Sequence, residues 1–430
     1  MERPFSIAAF LMPLPAVAER FLRYVQIDTQ SDPDSEATPS TEKQKDLSRL
    51  LAQELRELGV ADAEMDEYGY VFGTIPSTLP PEQAARTPTL ALLAHVDTSP
   101  DASGANVKPV VHSNYDGGVL TLPGDPSVML SPDNQPALLD HLGHDIITSD
   151  GTTLLGSDDK AGVAILMQLA EVLLHDRSIP CPPLRICFTV DEEIGQGVDK
   201  LDLDKLGADV AYTLDGSSTD VIYAETFNAA EAIIVVEGVM VHPGYAKGIM
   251  VNAVRILAEF IALLPATEAP ETTADREGYI HPHTIAAGDA TRAEVKLILR
   301  DFTTEGLERR KRLVKAFVEA LRIQHPDATI TLTVKDQYKN MRSYIEDKDP
   351  RVISLAYQAA QKLGIQLDEE VIRGGTDGAR LSELGLPTPN VFNGGHAYHS
   401  HFEWNTVQNL KHSLAYTLQL VRTWAEHGAN

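Results

Sequence analysis

Apolar residues along this chain follow two rhythms, and the rhythms break at acids, histidines and glycines. Nearly continuous apolar runs at residues 89–94, 184–190, 210–214 and 387–392 read as strands buried on both faces. Between them the spacing turns helical. Residues 41–58 place Leu47, Leu50, Leu51, Leu55 and Leu58 on one face and stop at Gly59. A second helical run starts at Val163 and continues through Leu166, Met167, Leu169, Ala170, Leu173 and Leu174. Further helices are expected from Asp349-Pro350 to Gly364 and over 407–424, and a short first one around Phe21, Leu22 and Val25. Alternation of this kind predicts an α/β fold, a mostly parallel sheet with helices on both faces. In such sheets ligands bind beyond the carboxyl ends of the strands.

From about Phe227 the order changes. A strand at 230–241, a helix at 247–264, strands at 278–285 and 291–302, a helix at 304–324 and a strand at 328–335 spell β-α-β-β-α-β, the ferredoxin-like unit. We expect a larger domain in two parts, residues 1–226 and 337–430, interrupted by this smaller one at 227–336. Residues 100–150 are rich in Pro, Gly, Asp and Asn, show little periodicity, and read as a long surface excursion. Loops of that length inside compact domains tend to be functional.

Composition narrows the field. With 430 residues, 43% of them hydrophobic, the chain can bury two cores. A net charge of −26 repels phosphate backbones and anionic membrane surfaces, so neither nucleic acid nor a membrane is an expected partner. Cys181 and Cys187 lie just before and within one apolar strand and suit neither a disulfide framework nor a thiolate metal site; core thiols in a reducing, cytoplasmic setting account for them. The mildly apolar stretch at 1–13 is broken by two prolines and carries one arginine beside a glutamate, unlike a secretion signal. No run approaches the roughly 18 to 20 apolar residues of a membrane span.

The candidate chemistry sits where strands end. Residues 89–94 run into His95-Val96-Asp97, residues 184–190 into Asp191-Glu192-Glu193, and 210–214 into Asp215. Asp158 and Asp159 stand at the start of the helical run, where a carboxylate can cap free N–H groups or serve a site. Residues two apart on a strand face the same way, so His95 can bind a metal through one ring nitrogen while Asp97 fixes the other. Taken singly, His-x-Asp is most often structural. With Asp158, Glu193 and Asp215 at neighbouring tips it becomes a carboxylate-rich metal site, because anions so close repel unless cations lie between them. Two divalent ions bridged by one carboxylate, ~3.5 to 4 Å apart, resolve that repulsion. Of Glu192 and Glu193, one can bind metal while the other carries protons, or both can be solvated surface acids.

Five segments carry a family resemblance: Ala94-His95-Val96-Asp97-Thr98, Leu155-Gly156-Ser157-Asp158-Asp159-Lys160, Asp191-Glu192-Glu193-Ile194-Gly195, Val241-His242-Pro243-Gly244 and Arg373-Gly374-Gly375-Thr376-Asp377-Gly378. They closely resemble the peptidase T family, the aminotripeptidase branch of the di-zinc metallopeptidases that include carboxypeptidase G2 and the carnosinases. The resemblance runs from about Glu19 to the C-terminus. It implies a zinc-dependent aminopeptidase acting on tripeptides, with a dipeptidase, acyl-amino-acid hydrolase or carboxypeptidase of the same superfamily as the alternative. It further implies a catalytic domain with an inserted lid and dimerisation domain, a homodimer, and two zinc ions for which cobalt or manganese can substitute. His95 and Asp215 would hold one ion, Glu193 and His399 the other, and Asp158 would bridge them. Asp97 would orient His95 and Glu192 would be the general base. The resemblance places the last ligand at the histidine four residues before a glutamate, which in Tyr398-His399-Ser400-His401-Phe402-Glu403 matches His399, with His401 and His396 as the other candidates. Arg373 would clamp the peptide carboxylate, or be a surface arginine. His242 would reach across a dimer to stabilise an oxyanion, or merely open the turn before Pro243.

Overall fold

The structure, a computed structural model, describes residues 16–428. The stretch at 1–13 weighed above as a secretion signal lies outside the described residues. In chain order the first strands are β1 (Glu64–Met65), β2 (Val71–Ile75) and β3 (Leu90–His95). The excursion contributes β4 (Val110–His112), β5 (Leu120–Thr121), β6 (Met129–Leu130) and β7 (Ile146–Thr148). Then come β8 (Leu184–Thr189), β9 (Val210–Gly216) and β10 (Val221–Thr226), followed by β11 (Asn228–Glu237), β12 (Tyr279–Asp289), β13 (Arg292–Asp301) and β14 (Thr329–Tyr338). The last three are β15 (Asp368–Ile372), β16 (Asn390–Phe392) and β17 (Trp404–Thr406).

The described chain divides into two compact units. The larger takes the chain up to Ala224, Tyr344–Glu370 and everything from Thr376 onward; the smaller takes Glu225–Ser343 and Val371–Gly375. In the larger unit an eight-stranded sheet runs β1-β2-β8-β3-β9-β16-β10-β15. Its centre, β8-β3-β9-β16, is parallel, and β2 and β10 add antiparallel flanks. All six residues of β3 are buried, so both faces of the centre are covered. The helix Ser157–His175 packs on β3 and β9 and is itself covered by the helices Ala16–Tyr24 and Val407–His427, which explains apolar residues all round it. Gly59 closes the helix Gln44–Leu58 at φ 103°, and Gly364 closes Arg351–Leu363 at φ 72°, the left-handed conformation that glycine adopts without penalty.

The smaller unit has the expected β-α-β-β-α-β order, its strands antiparallel in the order β12-β13-β11-β14. Ala230, Ala232, Ile234 and Val236 of β11 alternate with half-exposed neighbours and join Val295, Leu297 and Leu299 against Ile256, Phe260, Val314 and Val318 of the two helices. Two elements are shorter than their periodicity suggested. The strand expected to reach 241 ends at Glu237, and the helix expected from 247 spans Ala253–Leu263. Pro243, Gly244 and Gly248 punctuate the interval, and the Asn252 side chain accepts from the Arg255 N–H at 3.1 Å, capping the helix there.

The excursion differs from its expectation more. It is not plain loop: β4 pairs with β7, β7 with β17, and β5 with β6, around a core of Tyr115, Leu122, Val128, Leu130, Leu138, Ile146 and Trp404. Strands of two or three residues are too short to print a period, and Trp404 comes from the far end of the chain. Truncating Leu138, fully buried in the Pro136–His141 turn of 3-10 helix, should cost about 2–5 kcal/mol locally. Limited proteolysis of Leu138→Ala should therefore cut first within residues 100–150, before the main sheet opens.

Candidate metal centre

Three adjacent parallel strands end beside one another, and each ends in a site residue. His95 closes β3, Asp215 lies one residue before the end of β9, and β8 leads through Val190 and Asp191 into Glu192 and Glu193. The turn carrying the two glutamates is pinned from both sides. Asp191, at φ 56°, accepts from the Ser40 N–H at 2.7 Å and from Gln44 Nε2 at 2.6 Å. Asp97, fully buried, accepts from the Glu192 N–H at 3.1 Å and the Glu193 N–H at 3.2 Å while its Oδ1 lies 3.3 Å from His95 Nδ1. One carboxylate thus ties an imidazole of β3 to the turn after β8.

Asp158 stands at the front of the helix Ser157–His175 with non-helical φ and ψ, as does Asp159, and the peptide between them is cis. The adjacent acids do different work. Asp159 is spent inside the protein, accepting from the His95 N–H (3.3 Å), the Gly162 N–H (3.1 Å) and Asn393 Nδ2 (2.9 Å). Asp158 faces outward between two imidazoles: its Oδ1 is 3.0 Å from His95 Nε2 and its Oδ2 is 3.2 Å from His399 Nε2. His399 Nε2 also lies 2.8 Å from Glu193 Oε2, and His95 Nε2 lies 3.7 Å from Asp215 Oδ1. The structure therefore brings His95, Asp97, Asp158, Glu192, Glu193, Asp215 and His399 into one place.

Of the other histidines, His396 stacks on Trp404 with ring centroids 4.0 Å apart, and His401 acts electrostatically on Asp125 of the excursion. Arg373 and His242 belong to the smaller unit. Arg373 donates to the carbonyls of Asp275 and Glu277 and to Thr273, and lies over the Phe227 ring, so its fork is engaged within that unit. His242 is exposed, with Nδ1 accepting from the Gly244 N–H at 3.1 Å.

The electrostatics show how crowded the anions are. Burial, then the Asp158 charge, pushes Glu193 up to about 8; burial and Asp158 push Asp215 up to about 6; burial and Asp215 carry Glu192 well above the carboxylate range. Burial disfavours charge on His95, yet its bonds to Asp158, Asp215 and Asp97 outweigh that and raise it well above the usual imidazole value. His399 is raised to about 11 by Asp158 and then Glu193. Protein alone satisfies this cluster only by taking up protons, and Glu193 Oε1 remains buried with no hydrogen-bond partner. Divalent cations answer both deficits, and the donor set suits them: ligand atoms of His95, Asp158 and Glu193 lie within 4.8 Å of one another, as do those of His95, Glu192 and Asp215.

Several contributors were given no role by the sequence, although Asp377, Tyr398 and Glu403 stand inside the motifs quoted for the family. Asn393 joins Asp159 to Tyr398, whose hydroxyl donates to Asn393 Oδ1 at 2.6 Å. The Asp377 N–H donates to Glu192 Oε1 at 3.4 Å, and its side chain accepts from Thr189 Oγ1 at 2.8 Å. Glu403 is buried against the Asp158 loop. Their common mark is a polar residue that burial obliges to find a partner, which a linear pattern does not display.

Comparison with known proteins follows the same lines. Residues 224–329 match the family model for the peptidase dimerisation domain. The chain is 43% identical over 409 residues to peptidase T of Halothermothrix orenii, covering 95% of this chain and 99% of that protein. A tripeptidase structure from Staphylococcus aureus superposes with a TM-score of 0.74 at 22% identity, covering 97% of this chain and all of that one. A dinuclear metal-binding peptidase from Bacillus subtilis superposes at 0.63 and 15% identity, covering 95% and 98%. Fold, cluster and relatives together define a metallopeptidase. Within that class, the chain belongs to the peptidase T family.

His399→Ala should weaken metal retention by more than about tenfold, since loss of even an outer partner costs that much. Metal analysis after dialysis should find His401→Ala and His396→Ala at the wild-type level.

Proposed function

We propose that this chain is a di-zinc aminopeptidase that releases the N-terminal residue of tripeptides, acting in the cytoplasm as a homodimer. The observation that carries the reading is Asp158 presenting one carboxylate oxygen to each of two histidines, each of which also faces a second carboxylate. His95 and Asp215 would hold one zinc, Glu193 and His399 the other, and Asp158 both. The tripeptide preference is supported by the peptidase T name shared by relatives that this chain matches nearly end to end. The dimer is supported by the match of residues 224–329 to a dimerisation domain, and the reducing compartment by two buried free thiols. Among the described residues no helix is long and apolar enough to cross a membrane.

When bound, the zinc ions supply Lewis acidity to the peptide carbonyl and to the attacking water. The chain supplies the proton path. Glu192 takes the proton that water loses as it attacks the carbonyl carbon, and returns it to the departing amine. The Asp377 N–H and the turn held by Asp97 fix where that carboxylate points. His242 serves the oxyanion from the second copy of the chain, and Arg373 meets the peptide carboxylate once released from its present carbonyl partners.

Glu192→Gln should lower kcat about 10² to 10⁴-fold with metal content and folding unchanged; comparable turnover would remove the assignment. Di-, tri- and tetrapeptides assayed side by side should show tripeptides cleaved fastest, and a preference for dipeptides or N-acylated amino acids would move the chain elsewhere in the superfamily. Chelation should abolish activity, with zinc, cobalt or manganese restoring it. Mixing Glu192→Gln chains with His242→Ala chains should restore activity that neither has alone, because the mixed dimer contains one complete centre.

A further inference from the structure

Asp158 and His399 stand 241 residues apart in sequence, yet the centre needs them at a fixed separation. Their loops are joined by something other than the metal site. Glu403 is 1% exposed, and its carboxylate is taken up entirely by backbone: Oε2 accepts from the N–H groups of Leu155 and Gly156, both at 2.8 Å, and Oε1 from the N–H of Asp158 at 3.0 Å. The acid thus grips the stretch that presents Asp158, by the backbone and not by the side chain.

Glu403 is equally fixed at its own end. His396 and Trp404 exchange backbone hydrogen bonds at 2.9 and 3.1 Å, closing a loop with His399 near its tip, and the Glu403 N–H donates to the Ser400 carbonyl at 3.2 Å. Ser400 Oγ donates to the Ala397 carbonyl at 2.6 Å, and Ala397 and His399 both have positive φ, 55° and 59°. Immediately after Glu403, β17 pairs with β7. The His399 loop is therefore a closed unit whose last residue before the strand reaches back to the Asp158 stretch. A buried carboxylate accepting three N–H groups is strong, and it is specific in length: aspartate would fall short by one methylene.

We propose that Glu403 is a positioning residue, a clamp that sets the distance between Asp158 and His399 before any metal arrives. This rests on the reading of those two side chains as ligands, but the clamp is measurable without metal. Hydrogen exchange on the metal-free full-length protein should show the amides of Leu155, Gly156 and Asp158 exchanging at least about tenfold faster in Glu403→Ala, with the β7 amides of Ile146–Thr148 unchanged, whereas general loosening would accelerate both sets. Glu403→Gln, nearly isosteric, should give a smaller acceleration at the same three amides, and serves if the alanine variant does not fold. In chelator competition both variants should lose zinc faster than wild type, Glu403→Ala by about tenfold or more, and kcat should fall with KM little changed. Wild-type exchange at residues 155–158 in Glu403→Gln, or acceleration spread equally over β7, overturns the clamp. Faster exchange at those amides in a protein that binds no zinc leaves the clamp standing and overturns the ligand reading instead.

Discussion

Carboxyl groups crowded out of water repel one another, and that repulsion governs how this protein is built. Asp158, Glu192, Glu193 and Asp215 cannot all stay ionised in a buried setting without cations or protons among them. The parallel sheet supplies rigid strand tips, so the groups cannot relax apart. The surroundings supply hydrogen bonds that aim each group: Asp97 and Asp191 on the glutamate turn, Asn393 on Asp159, Glu403 on the stretch ahead of Asp158. Fixed tips and aimed acids leave metal binding as the relief. A site of this sort is stored strain that a ligand discharges.

Much of this was legible from the chain alone, and the reason is locality. The runs that became β3, β8 and β9 are almost wholly buried, so they stand out as nearly continuous apolar stretches, interrupted only by Arg185 in β8 and Thr213 in β9, and the acidic or imidazole group at the end of each is conspicuous by contrast. The inserted unit was readable because its strands and helices are long enough to show their periods. The excursion was not, because its strands are two or three residues long and its core is completed by Trp404. Likewise Glu403, Asn393 and Asp377 act through hydrogen bonds to residues far away in sequence. Composition says that such groups exist; only folding says what they hold.

Asp158 and Asp159 show the same limit in miniature. Side by side at a helix start, either could have been the outward-facing acid, and the family resemblance chose Asp158. Three hydrogen bonds give the physical reason: Asp159 is consumed by His95, Gly162 and Asn393, and only Asp158 has both oxygens turned toward imidazoles. Arg373 shows the same limit in the smaller unit. A guanidinium in a glycine-rich turn suggests recognition of an anion, and here it holds three backbone carbonyls of the smaller unit.

The position of β16 in the sheet has a consequence for biosynthesis. It lies between β9 and β10, though 163 residues, from 227 to 389, separate it from β10 along the chain. While the protein emerges from the ribosome, β9 waits with one side bare, an open template for any neighbouring chain. The slot closes only once β16 itself has been made, and the loop with His399 follows within a few residues. Completion of the sheet and arrival of the final imidazole are thus nearly one event, so a chain truncated before β16 is both sticky and inert.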